Sequence, residues 1–206
     1  MNEHSFIFVS MRPRDENKEA AIRQKAIQMI VKDGFDGLSM QKLAKAAGVS
    51  PATIYIYYKD RDDLVFQLAL RESKRMTEST LRDFDPEMSF AEGLKIQWRN
   101  RSEFCLANPD TMYFLESIRH SPFSEKSLKH MDEHFVKAMK AFTHNAIQRK
   151  ELIEMPIEVY WSIAFAPLYN LIRFHLTGKS LRNTKFTLTD DTLQKTLQLV
   201  VKALTP

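Results

Sequence analysis

Apolar residues recur at three- and four-residue spacings along nearly the whole chain, and no stretch alternates apolar and polar residues between paired turn signals. Such a pattern buries its apolar side chains by packing helix on helix, so the expected fold is all-α. Ala20, Ile22, Ala26, Ile27, Ile30 and Val31 form one stripe, predicting a helix over 16–32 that stops at Gly34. Ser39 caps a short helix over 41–47 ended by Gly48, and Ser50-Pro51 opens another over 51–57. Asp60, followed three residues on by Asp63, starts a longer helix carrying Leu64, Phe66, Leu68 and Leu70 towards Arg82. Breaks at Asp85-Pro86, Asn108-Pro109 and Ser121-Pro122 divide the next helices, over 90–106, 109–119 and 125–149. A strongly apolar helix follows over 156–176, closed by Gly178, and Thr189-Asp190-Asp191 begins the last. The expectation is about nine helices.

Length and composition fit this reading. The 206 residues make one sizeable domain or two small ones, and 44% hydrophobic with 27% charged residues is ordinary for a globular protein. That excludes a disordered chain, a collagen and a disulfide-rich module. One cysteine, Cys105, permits neither an intrachain disulfide nor a cysteine-rich zinc site, and a free buried thiol suits a reducing cytoplasm. The apolar run at 6–9 is too short for a signal-peptide core. The apolar run at 161–172 falls short of a membrane span and contains Pro167 and Asn170. A cytoplasmic protein with no membrane contact is expected. The net charge of +4 leaves room for a local basic face without making the chain polybasic.

That face lies between residues 40 and 61, where Lys42, Lys45, Lys59 and Arg61 are opposed only by Asp60. Two short helices meet there at Gly48-Val49-Ser50, and the first ends in the small residues Ala46 and Ala47. Small residues allow a close helix crossing, and glycine permits the left-handed turn between them. This is helix-turn-helix geometry, in which the second helix enters the DNA major groove by its N-terminus. Ala52 and Thr53 stand at that tip, suited to thymine-methyl and polar contacts. Tyr55, Tyr57, Tyr58, Lys59 and Arg61 follow with hydroxyls and cations that can hold phosphates.

The run from Leu38 to Leu64 resembles the DNA-binding region of the TetR family of bacterial transcriptional regulators. The likeness rests on the turn Ala44-Lys45-Ala46-Ala47-Gly48-Val49-Ser50, then Thr53-Ile54-Tyr55-Ile56-Tyr57-Tyr58, then Lys59-Asp60-Arg61-Asp62-Asp63-Leu64. It reaches back through Gly34-Phe35-Asp36-Gly37 and covers about the first third of the chain. The resemblance implies an all-helical homodimer with an N-terminal three-helix DNA-binding domain and a larger C-terminal ligand-binding and dimerisation domain. The corresponding division is an arm over 1–15, a helix-turn-helix domain over 16–62 and a ligand domain over 63–206. Carried over by motif position, Gln41, Ala52 and Thr53 approach bases, while Pro51, Tyr55, Tyr57, Lys59 and Arg61 position the helix on the DNA backbone. Two residues depart from the family pattern. Tyr58 replaces a phenylalanine, so its hydroxyl needs a partner or water. Arg61 replaces a lysine, which keeps the charge and changes the donor geometry. Tyr55 and Tyr58 each admit a packing role as well as phosphate contact. Arg12-Pro13-Arg14 reads either as a minor-groove arm or as a solvated tail, and Met11 is a second candidate start.

The C-terminal two-thirds resembles the family in layout only. Large side chains exceed what a simple bundle face needs: Trp98, Phe104, Met112, Tyr113, Phe135, Met139, Phe142, Trp161 and Phe165 are candidate pocket residues for an apolar or amphipathic effector, against the alternative that they are core. The helices at 156–177 and 189–205 are the expected dimer interface, with a kink at Pro167. The expected function is a non-enzymatic regulator, a repressor that binds a palindromic double-stranded DNA operator and is released by a small molecule. The long helix from Asp60 would be the lever. No cofactor and no metal are expected. The competing readings are a metal-dependent helical enzyme using His130 and His134, four apart in one expected helix, and a DNA-binding regulator controlled by a protein partner.

Overall fold

The computed structural model describes residues 15–206, so the basic triplet at 12–14, the apolar run at 6–9 and all but the last residue of the expected arm lie outside the described residues. The described residues form eleven helices: α1 (Glu16–Gly37), α2 (Met40–Ala47), α3 (Pro51–Tyr55), α4 (Arg61–Thr80), α5 (Phe90–Ala107), α6 (Pro109–Arg119), α7 (Ser124–Lys129), α8 (Glu133–Gln148), α9 (Ile157–Ala164), α10 (Ala166–Thr177) and α11 (Asp190–Leu204). One isolated antiparallel bridge, Lys179 to Lys185, is the sole β feature among them. The chain divides into two compact units, one ending at Val65 and one spanning Phe66–Pro206.

The first unit is organised by caps. Asp15 accepts from the amides of Asn17 and Lys18 at 3.1 and 3.3 Å and starts α1. The Lys18 amide is the main reason its carboxyl titrates below the usual carboxylate range. Ser39 accepts from the Lys42 amide and starts α2, and Gly48, at φ 68 and ψ 30, ends it in the left-handed region. Ile22, Ala26, Ile27 and Ile30 of α1 are buried, as are Leu43 and Ala44 of α2, Ile54 of α3 and Leu64 at the start of α4. Helix α1 does not stop at Gly34 as its stripe predicts. Gly34, at φ 72 and ψ 178, interrupts it, and one further helical turn reaches Gly37.

The second unit is built around α5, which buries Phe90, Leu94, Trp98, Phe104 and Cys105 in one apolar cluster with Phe142, Tyr160, Phe165, Leu168, Ile172 and Leu197. Trp98 Nε1 donates to the Ala164 carbonyl at 2.8 Å, satisfying the one polar atom of a ring only 1% exposed. The buried Asn100 donates to the carbonyls of Thr80 and Arg82 at 3.1 and 2.6 Å, closing the C-terminal end of α4. Burial pushes the Cys105 thiol up to about 11, against the opposing charges of Arg101 and Arg119, so it is an inert core group. Burial likewise raises the Tyr160 phenol.

Two expected long helices are each divided, which accounts for eleven helices where about nine are expected. The helix over 125–149 breaks at His130 and Met131. Asp132 then caps α8, accepting from the Phe135 amide at 2.8 Å, so a strong local cap outweighs an unbroken apolar period. The helix over 156–176 is interrupted at Phe165 (φ −127, ψ −25) rather than merely kinked. Pro167, in the first turn of α10, lacks an N–H, so it cannot continue the ladder from α9. Helix α3 ends at Tyr55, two residues short of expectation, and Tyr57 and Tyr58 both donate to the Ile54 carbonyl.

Candidate DNA interface and effector cavity

The helix-turn-helix takes its shape from three local choices. Gly48 donates its amide back to Lys45 at 3.3 Å, and Val49 donates to Ala44 at 3.0 Å, fixing the turn. Ser50 accepts from the Thr53 amide at 3.2 Å, and its hydroxyl meets the Thr53 hydroxyl at 2.9 Å. Pro51 then occupies the first helical position, where its missing N–H costs nothing. Ile54 faces inward and is fully buried.

What faces outward is a mixed strip. Gln41, Lys42 and Lys45 on α2 are exposed, as are Pro51, Ala52 and Tyr55 on α3, and Lys59 beyond it. Thr53 is half-buried with its hydroxyl engaged by Ser50, and Tyr55 is 54% exposed. Six of the eight residues expected at DNA therefore remain available on the surface of α2, α3 and the following turn.

Tyr57 and Arg61 are engaged within the unit, although the Arg61 side chain stays 34% exposed. Tyr57 is 8% exposed, and its hydroxyl accepts from the Asp15 amide at 3.0 Å and donates to the Asp15 carbonyl at 3.1 Å. Its chemistry is spent tying the start of α1 to the end of α3. Arg61 donates through Nη2 to the Phe35 carbonyl and through Nη1 to Asp62, and its Nε is buried. That guanidinium ties the start of α4 to the last turn of α1. Tyr58, 2% exposed, packs in the core. Ile56, 50% exposed at the end of α3, was not singled out because an isoleucine in an apolar pattern reads as core. It is an apolar group on the same surface as Tyr55.

Within the second unit, the expected pocket residues divide between core and cavities, with Met112 in both, and Trp98, 1% exposed, also lines a separate cavity of about 650 Å³. Trp98, Phe104, Phe142 and Phe165 belong to the buried apolar cluster, with Tyr113 packed against it. Phe135 and Trp161 line a cavity of about 470 Å³, together with Met76, Arg101, Leu115, Ile118 and Arg119 among others. Met112 and Trp161 line a smaller one of about 190 Å³ that shares Met76, Leu115 and Arg119 with the first. Met139 lies half-buried on α8 and lines neither. Arg101 is the residue missed in this region. The signal for it, a Gln97-Arg101 pair four apart on the most apolar face of α5, was present in the sequence.

The histidine pair expected on one helix is divided by the α7–α8 break. His130 lies just past α7, with Nδ1 2.8 Å from the Lys126 carbonyl and its ring edge-on to Phe66, whereas His134 sits in the first turn of α8. Among the described residues, no group of three His, Cys, Asp or Glu side chains converges. No described helix is long and apolar enough to cross a membrane.

Residues 22–68 match the family model described as bacterial regulatory proteins, tetR family. A relative from Haemophilus influenzae, an HTH-type transcriptional regulator, is 28% identical over 144 residues, covering 70% of this chain and 75% of its own. The crystal structure of a TetR family transcription regulator from Marinobacter aquaeolei superposes with a TM-score of 0.74 at 26% identity, covering 95% of this chain and 99% of that one. FadR from Bacillus subtilis, solved in complex with stearoyl-CoA, has the same fold, with a TM-score of 0.69 at 18% identity over 90% of this chain and 99% of that one. With its capped helix-turn-helix and these likenesses, the chain carries over residues 22–68 the DNA-binding region described for the TetR family of bacterial transcriptional regulators, and over most of its length it is similar to HTH-type transcriptional regulators.

Proposed function

We propose that the protein is a cytoplasmic repressor that binds a palindromic operator as a homodimer and is released by a small molecule with an apolar body. The observation that carries this reading is the exposed strip across α2 and α3, where cations and small or hydroxylated side chains stand on two capped helices. Gln41, Ala52 and Thr53 would meet base edges, the last after exchanging its hydroxyl bond with Ser50 for one to DNA. Pro51, Tyr55 and Lys59 would lie on the phosphates. Residues 16–62 would serve as the DNA-binding domain and 63–206 as the effector and dimerisation domain.

Dimerisation through the helices at 156–177 and 189–205 is supported by large apolar side chains left on that part of the surface. Ile157 is 62% exposed, Val159 44% and Leu199 69%. A second copy covering them would remove apolar surface from water. The effector reading is supported by the 470 Å³ cavity, whose size suits a small organic ligand. An effector that favours a conformation with the recognition helices at another separation lowers DNA affinity, and DNA lowers effector affinity by the same factor.

Footprinting on the DNA upstream of the gene, with the mass of the complex measured alongside, tests this. The expected result is one dimer protecting two half-sites with centres about 34–36 Å apart, or a multiple of that spacing. A monomer protecting a single unrepeated site would overturn the dimer and the palindrome together.

A further inference from the structure

Four polar residues are buried on α5, and two of them carry polar atoms without a hydrogen-bond partner. Asn100 reaches the Thr80 and Arg82 carbonyls, and Ser102 donates to the Arg99 carbonyl at 2.9 Å. Gln97 is fully buried with neither amide atom paired, and Arg101, one turn later on the same face, is 3% exposed with its Nε and Nη2 unpaired.

The surroundings of Arg101 sharpen the point. Nη1 donates to the Tyr169 hydroxyl at 2.9 Å. The guanidinium carbon lies 4.4 Å from the Phe165 ring centroid, 5.2 Å from Trp161 and 5.9 Å from Phe135. Aromatic faces attract a cation, yet they leave the in-plane N–H donors empty. The two empty donors, Nε–H and Nη2–H, are the parallel pair along one edge of the guanidinium, the fork that grips a carboxylate or phosphate through two bonds. Arg101 lines the 470 Å³ cavity, where the other charged side chain is Arg119, and no described carboxylate lines it. Glu72 of α4 and Glu116 of α6 are already bonded to Arg75 and Arg173. A buried cation without a counter-ion is costly, so an arginine held this way is poised for an anion from outside.

We propose that the effector is an amphipathic anion, its anionic oxygens on Nε and Nη2 of Arg101 and its apolar body against Leu115, Ile118, Phe135 and Trp161. This rests on the effector-cavity reading above and adds the chemical class of the ligand. Carboxylate and phosphate ester share the recognising chemistry.

Two fluorescent probes with the same aromatic body separate the proposal from the reading it rests on: 1-anilinonaphthalene-8-sulfonate, which carries an anion, and N-phenyl-1-naphthylamine, which does not. The native protein is expected to bind the sulfonate at least about tenfold tighter, the scale of one charge-assisted bidentate contact. Arg101→Met should bring the two probes within about twofold of each other by weakening only the sulfonate. It should melt no lower than the native protein, because it removes an unpaired buried charge. Should Arg101→Met fail to fold, Arg101→Lys, which keeps the charge and loses the fork, must weaken the sulfonate severalfold and leave the neutral probe unchanged. Decanoate displacing the bound sulfonate better than decyl phosphate assigns a carboxylate, and the reverse order a phosphate ester; decanol should displace it least. Equal binding of both probes by the native protein, or a preference that survives the Arg101 substitutions, overturns the proposal and leaves an apolar effector cavity standing. Binding of neither probe overturns both.

Discussion

Gly93→Ala is expected to lower the thermal midpoint of the second unit, although alanine is the better helix former. Gly93 is buried on α5, and a Cβ built there would lie 2.6 Å from Phe142 Cζ and 3.2 Å from Phe84 Cε2. The Phe142 ring has nowhere to go. It is fully buried, edge-on to Phe84 with centroids 5.1 Å apart and stacked on Phe90 at 5.9 Å. Overpacking of this kind costs about 1–3 kcal/mol or more, and the helix-propensity gain returns at most about 1 kcal/mol. A net loss of about 2 kcal/mol corresponds to a fall of roughly 4–8 °C for a unit of this size. Phe142→Leu, introduced with Gly93→Ala, should recover part of it, because the two positions share one contact and their effects cannot add. An unchanged or higher midpoint for Gly93→Ala alone would contradict the close α5–α8 approach.

Ile54→Ala is expected to weaken DNA binding more than tenfold without removing any group that touches DNA. Ile54 is fully buried at the centre of α3. Deleting such a side chain costs about 2–5 kcal/mol. A core formed by residues up to Val65 has little more than that to lose, since units below about 70–80 residues seldom exceed about 3–5 kcal/mol. Both tryptophans, Trp98 and Trp161, belong to the second unit, so their fluorescence reports its unfolding separately. The prediction is an operator affinity more than tenfold weaker with a tryptophan-detected transition close to native. Native affinity in Ile54→Ala would deny that this packing presents the recognition helix.

The contrast between these two residues shows what the sequence exposes. Ile54 is legible as core because it sits between a Ser50-Pro51 start and a tyrosine-rich end, where caps and apolar spacing agree. The same agreement makes the N-terminal helices readable, and the likeness at 38–64 adds the function. Gly93 carries no signal of what its missing side chain would strike, because Phe142 lies 49 positions away (142 minus 93). Tyr57 misleads for the same reason. Its hydroxyl bonds to Asp15, 42 residues earlier, so a side chain that reads as a phosphate contact serves as a strut. Arg61 repeats the lesson through Phe35. The α7–α8 break was legible in Asp132, but an apolar period running through it from Leu128 to Phe135 concealed the cap. Arg101 shares an apolar helix face with Gln97, four residues earlier, but a cation in a helical pattern ordinarily faces water, and the packing shows that this one does not.

The central claim is that α2, Gly48 and α3 make a phosphate-anchored DNA interface. Binding of the purified protein to the DNA upstream of its gene, at about 50 and 200 mM salt, tests it most directly. Lys59→Ala is compared with Ala52→Leu, which alters the tip of the recognition helix without changing charge. The account predicts sequence-specific binding that weakens steeply with salt. Lys59→Ala should weaken it evenly across sequences and reduce the salt slope by about 1, whereas Ala52→Leu should change which sequences are preferred. Binding that ignores sequence, or that neither substitution alters, would contradict it.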